Sequence, residues 1–211
     1  MTTPTPAPTP TSTSRPMAPL EAATEDFAQQ IADQVESFLL ALQAIARDEA
    51  GGRAISLLLL EVSQLLLAGA RLGAQADFTP DAEYQPDVGP DPDLDLMRER
   101  LARLLGPVDP YVVNFDAYAP ELVEELLSDD LAAIAAEVAN GLRHHRAGDV
   151  AEALWWWQFS YVSSWGNAAS GVLRALQSIV THDRLDAEVL DEDDQLAAAD
   201  EMLGGGEEPP R

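Results

Sequence analysis

The 211-residue sequence has no cysteine and no lysine. Without cysteine there is no disulfide and no thiolate nucleophile, and the commonest ligands of structural zinc are missing. All 12 basic residues are arginines, set against 37 Asp and Glu for a formal net charge of −25. A surface of that sign repels a phosphate backbone unless a basic patch is built locally. The two tight basic clusters are Arg98, Arg100 and Arg103, and Arg143, His144, His145 and Arg146. Both fall in the last turns of expected helices, where cations complement the macrodipole. Direct nucleic-acid binding is therefore not expected, whereas a basic protein partner suits the charge.

Long apolar runs are also lacking. The longest, Ala54–Ala70, is interrupted by Glu61, Ser63 and Gln64, and it reads as too short and too polar for a bilayer. The N-terminus MTTPTPAPTPTSTSRPMAP has no apolar core of the signal-peptide kind and reads as a Pro/Thr-rich disordered arm over 1–19. A cytoplasmic location is expected.

What is present is helical periodicity. Phe27, Ile31, Val35, Phe38, Leu42 and Ile45 alternate spacings of four and three, predicting a helix over about 21–48 that Gly51-Gly52 ends. A second helix over about 53–73 carries Ile55, Leu58, Leu59, Val62, Leu65 and Leu66 on one face. Leu57, Leu60 and Leu67 extend its apolar surface, as expected of a helix in the middle of a bundle. Residues 76–93 are acidic and proline-rich and predict a loop. Asp93 is a candidate cap for a helix over Leu94–Leu105, stopped by Gly106-Pro107. The next segment, VDPYVVNFDAYAP, reads as irregular chain held to the bundle by Tyr111, Phe115 and Tyr118. Pro120 is expected to begin a short helix to about Leu127.

Ser128 reads as the cap of a helix over about 129–147, with a stripe of Leu131, Ile134, Val138, Leu142 and His145. Gly148 closes it, and Asp149 with Glu152 spells a capping box for the following helix over about 150–182. The short turn predicts an antiparallel hairpin like one tetratricopeptide unit, with no 34-residue repeat around it. In the last helix Trp155, Phe159, Val162, Gly166, Ala169, Leu173, Leu176 and Val180 form the expected core stripe. Residues 186–211, with ten Asp or Glu and one Arg, read as a disordered acidic tail. The fold expected is thus all-α: one helical bundle of five or six helices over 20–185, with disordered tails.

All four tryptophans fall within WWWQFSYVSSWGN, residues 155–167. Three consecutive Trp span about 200° of a helix and cannot all face one core. Trp156 heads a second row, Ser160, Ser163, Asn167, Ser170 and Arg174. One reading is a groove for a carboxylate or a partner helix, anchored by Arg174. The other is that small polar residues permit close helix packing and bond to backbone carbonyls. No catalytic residue, metal site or cofactor is expected. Asp91, Asp93 and Asp95 begin a calcium-loop spacing, but Leu96 stands where glycine is needed and Ala102 where the bidentate glutamate is needed. His144 and His145 lie about 100° apart on a helix and cannot chelate one ion. His182-Asp183 has no further ligands in evident reach.

Three stretches resemble an uncharacterised bacterial family, the domain of unknown function numbered 5063. They are LLG with Tyr111 and Phe115-Asp116, then DDLAAIAAEVANGL, then AGDVAEALWWWQFSYVSSWGNAASGVLRAL. Trp157, Phe159, Trp165, Gly166, Arg174, Ala175 and Leu176 carry most of the similarity, and it extends over most of 27–182. Many members of that family have His before the Trp-Gly and after the Arg-Ala-Leu, and Pro after the Phe-Asp. This chain has Ser164, Gln177 and Ala117 there. The resemblance implies a helical fold and no assigned chemistry. Charge, helical scaffold and Trp-rich face together favour a non-enzymatic adaptor or regulator that binds a protein. A basic DNA-handling protein is one such partner. The alternative is a small-molecule-binding or hydrolytic domain using the Trp156–Arg174 groove.

Overall fold

The computed structural model describes residues 19–47, 51–80, 86–90, 92–114 and 118–204. The N-terminal arm before Pro19, Phe115, Asp91 and the last seven residues lie outside them. The elements in chain order are α1 (Pro19–Ala46), α2 (Ala54–Gly73), α3 (Asp95–Leu105), β1 (Pro110–Asn114), β2 (Leu122–Leu126), α4 (Leu127–Ala147), α5 (Val150–Ser160) and α6 (Gly166–Gly204). One 3₁₀ turn, Gly51–Arg53, leads into α2, another, Gly106–Val108, follows α3, and a π-turn, Tyr161–Trp165, joins α5 to α6. The fold is an all-α bundle carrying one small hairpin of strands.

The apolar period of α1 closes on the core as its spacing requires, with Ile31, Val35, Phe38 and Leu42 fully buried. They meet Leu58, Val62 and Leu65 of α2, Leu101 of α3 and Leu131, Ile134 and Val138 of α4 in one continuous core. α4 and α5 form the expected antiparallel hairpin. Gly148 turns the chain at φ +91°, and the N–H groups of Gly148 and Asp149 donate to the carbonyls of His145 and His144, each at 3.0 Å. A left-handed φ of that size is costly for any residue with a Cβ, which is why glycine closes this helix.

Several expectations are corrected. Residues 110–114 and 122–126 are strands, not irregular chain and a helix. β1 and β2 pair antiparallel, with Val112 opposite Glu124 and Val113 opposite Val123. The β-branched pair Val112-Val113 and the alternation of Leu122, Val123 and Glu124 suit a half-covered ribbon better than a one-turn helix. Tyr118, expected to pack on the bundle, is almost fully exposed.

Ser128 does not cap α4. Asp109 does so from across the hairpin: its carboxylate accepts the Ser128 N–H and the Ser128 hydroxyl, each at 2.8 Å, and its carbonyl accepts the Leu127 N–H at 3.0 Å. At Asp149 the N-cap position is as expected but no side-chain cap bond forms; the Ala153 N–H reaches the Asp149 carbonyl instead. His144, not His145, completes the buried stripe of α4.

The core stripe expected in the last helix holds at Gly166, Ala169 and Leu176 but is displaced before them. Phe159 and Val162 are 53% and 73% exposed, and Trp155 is only half-buried. The buried face runs through Leu154, Trp157, Trp165, Ala169, Val172 and Leu176, with Tyr161 half-buried on it. The π-turn explains the change of phase. It lengthens one turn by a residue, so Trp157, Tyr161, Trp165 and Ala169 stay on one face through successive steps of four.

α2 is not enclosed on every side, since Leu60 is 49% and Leu67 65% exposed. By length and composition alone, Ala54–Gly73 is apolar enough to cross a membrane, against the estimate made from the shorter run. In this fold it packs against α1, α5 and α6. Finally, the backbone of α6 continues helical through Gly204, past the boundary expected near 182. The stretch is rich in Ala, Leu, Glu and Asp and has no Gly or Pro before Gly204, so nothing local interrupts it.

Candidate functional site

The row headed by Trp156 divides in two. Its upper part is taken up by packing. The Trp156 indole N–H donates to the Glu137 carbonyl at 2.9 Å, fixing that ring on α4. Ser160 is buried, and its hydroxyl donates to the Trp156 carbonyl at 2.6 Å. Ser163 donates to the Phe159 carbonyl at 2.7 Å. These are bonds to the carbonyl one turn back, the packing reading of such residues.

The lower part borders a cleft. Asn167, Ser170 and Arg174 of α6, with Ser178, form one wall, and Tyr111 and Val113 of β1 stand on the other side; the cleft encloses about 660 Å³. Trp156 does not line it. Ser170 also bonds back, to the Gly166 carbonyl at 2.7 Å, yet its position faces the opening. Arg174 is exposed and enters no ion pair among the described residues.

Gly171 determines how close the two walls lie. A Cβ there would stand 2.9 Å from the Val113 methyl and 3.0 Å from the Tyr111 hydroxyl, so glycine lets β1 settle against α6. Tyr111 is held by a 2.6 Å hydrogen bond from its hydroxyl to the Asp130 carboxylate on α4. Burial, and then that carboxylate, pushes the phenol far above its ordinary value. Burial likewise raises Asp130, against the lowering effect of the Tyr111 bond, with the charges of Glu125 and Asp129 adding to the rise. A phenol and carboxylate so paired tie β1 to α4.

Two side chains outside the expected row hold the neighbouring parts in place. Gln158 is buried and accepts the Phe78 N–H at 2.9 Å while donating to the Leu72 carbonyl at 3.0 Å. It thereby fastens the start of the acidic loop to the end of α2. Tyr161 lies over Gly69, Gly73 and Gly166, and its ring stacks at a tilt on Trp165, 4.9 Å between centroids. A glutamine one place beyond three tryptophans gave no sequence signal for its role. The glycines at 69 and 73, four apart on an apolar helix, were the available hint for Tyr161.

No group of three or more His, Cys, Asp or Glu side chains among the described residues is placed to hold a metal ion. Asp93 accepts the Asp95 N–H at 3.1 Å, as a local turn does.

The profile of a family described as Domain of unknown function (DUF5063) matches residues 22–182. A crystal structure of protein BF1032 from Bacteroides fragilis superimposes with a TM-score of 0.58 at 17% identity. The match covers 71% of this chain and 89% of that one. At that identity the likeness concerns the fold alone. No curated protein matches the chain.

Proposed function

Since the chain belongs to the DUF5063 family, a domain of unknown function, we propose its role from the cleft itself: a binding module that takes a segment of a partner protein between β1 and α6. The observation that carries this reading is the pairing of a strand with an unpartnered outer edge and a helix wall of small polar residues ending in Arg174. β1 is hydrogen-bonded only to β2 in a two-stranded sheet among the described residues. An extended segment added along such an edge gains main-chain hydrogen bonds, and Ser170 and Ser178 leave room for its backbone. Arg174 supplies a guanidinium for one carboxylate of the segment. The chain's overall charge of −25 favours a partner that is basic elsewhere. On this reading the protein is an adaptor or regulator, and DNA-handling proteins are one basic class it suits.

The back-bonded hydroxyls of Ser160, Ser163 and Ser170 weigh against the hydrolytic alternative, because a nucleophilic hydroxyl must pass its proton to a base, and here each proton is donated to a backbone carbonyl instead. Affinity capture from the native host tests the proposal when wild type is compared with Ser170→Trp and Arg174→Ala. A partner retained by wild type and lost by both variants, at unchanged melting temperature, supports it. Equal recovery by all three overturns it.

A further inference from the structure

A second cleft is lined by cations and by no carboxylate among the described residues, in a molecule of net charge −25. It forms where α1 ends, α2 begins and α3 ends, and encloses about 870 Å³. Arg47, Arg100 and Arg103 line it, and no Asp or Glu does so among the described residues. Three of the chain's 12 arginines thus converge on one space in a protein carrying 37 acidic residues. None of the three enters an ion pair among the described residues. Arg98 and Arg146 differ: Arg98 pairs with Asp129 at 3.2 Å, and Arg146 with Glu36 at 2.6 Å.

Arg100 and Arg103 are three apart on α3 and so share a face, while Arg47 reaches the same space from the end of α1. The remaining wall is apolar, with Ala54, Ile55 and Leu104. The start of α2 adds to the field. Among the described residues this 20-residue helix has no side-chain cap bond and no acidic residue in its first turn to offset the positive end of its dipole.

We propose that this cleft binds a small molecule bearing clustered phosphate oxygens, with its uncharged part against the Ala54–Ile55–Leu104 wall. Guanidinium groups recognise phosphate through paired N–H donors, and a helix start supplements them. The volume lies within the roughly 300–1,000 Å³ of small-ligand sites, and the arginines converge from separate elements instead of forming an extended track. Those features favour a compact phosphate ester or anhydride over an acidic protein segment. The site is separate from the β1–α6 cleft and does not depend on the partner proposed for it.

Calorimetric titration of the full chain at fixed ionic strength, with pyrophosphate and with ADP as probes, tests the site. Saturation by either probe is expected, weakened roughly tenfold or more in Arg100→Gln and in Arg103→Gln, with melting temperature unchanged. Arg184→Gln, which removes the same charge away from the cleft, should bind as wild type does. Three results would overturn the proposal. One is the absence of saturable binding by either probe. Another is equal weakening by Arg184→Gln, which would mean a diffuse charge effect. The third is binding of a polyglutamate peptide that depends on Arg100 while neither phosphate probe binds.

Discussion

The indole of Trp157 fills the space that a side chain on Gly141 would occupy, and its N–H donates to the Val138 carbonyl at 2.9 Å. A Cβ on Gly141 would meet the indole at Nε1, Cδ1 and, at 2.6 Å, Cε2. The ring is fully buried and tied at its polar end, so it cannot swing aside. Gly141→Ala should therefore destabilise the fold by about 1–3 kcal/mol even though alanine is the better helix former. Thermal or urea denaturation checks this. A gain in stability would mean that the ring has somewhere else to go.

Gly166 stands in the same relation to Tyr161. A Cβ there would meet the Tyr161 carbonyl oxygen and, at 2.6 and 2.7 Å, two atoms of its ring. One obstacle is backbone within the π-turn, which has less freedom to yield than a side chain. Gly166→Leu should cost about 1–3 kcal/mol or more, by overpacking. Trimming the ring with Tyr161→Ala should relieve only part of that loss, because the carbonyl remains. An unchanged denaturation midpoint in Gly166→Leu would place position 166 at solvent.

Asp109 is buried and receives two hydrogen bonds from Ser128, so it does for α4 what a local cap residue does elsewhere. Asp109→Ala removes both acceptors and leaves the Ser128 N–H and hydroxyl enclosed. The expected loss is about 1–2 kcal/mol by the measure of lost helix caps. Ser128→Ala removes only the hydroxyl bond and should cost less. Equal losses in the two variants would show that the backbone bond contributes nothing.

His144 sets a pH dependence with a definite sign. Burial holds its imidazolium below the ordinary value of 6.5, against the raising effects of Glu152 and Asp149. Between that ordinary value and the lowered folded one, the unfolded chain binds a proton that the folded chain does not. Stability contributed by this group is therefore full above about 6.5 and falls as pH drops toward the folded value. Wild type should lose denaturation midpoint on acidification through this window, and His144→Gln should lack that component. A window of identical slope in both proteins would assign the effect to other groups.

These residues also show how far the sequence could be read. The periods of α1, α2 and α4 were legible because in each an ordinary α-helix buries one face, and spacing alone identifies Ile31, Leu58 or Ile134. The α4–α5 turn was legible because Gly148 needs its positive φ. The phase of the tryptophan helix was legible only after Gly166, since a π-turn leaves no compositional mark and the stripe drawn back across it misses at Trp155, Phe159 and Val162. Asp109 was hidden because its partner lies across a hairpin that closes only in three dimensions. In the candidate site, spacing grouped Asn167, Ser170 and Arg174 on one row, and the three line one cleft. The opposite wall was missed because β1 reads as irregular chain until β2 pairs with it.

The partner proposed for the β1–α6 cleft should be sensitive to salt in a particular way. Residues 77–95 carry seven carboxylates and residues 186–211 carry ten, so much of the acidic charge sits in two stretches. Their field should guide a basic partner before contact, and screening should weaken binding as salt rises over roughly 0.05–0.5 M. Deleting 186–211 should slow association more than it speeds dissociation, because charge outside the contact acts on encounter. Arg174→Ala should mainly raise the dissociation rate, because it removes a bond made only in the docked state. Surface-based kinetic measurements on the captured partner separate the two rates. If affinity proves indifferent both to salt and to loss of the tail, electrostatic guidance is refuted, and recognition must rest on the cleft's own strand edge and helix wall.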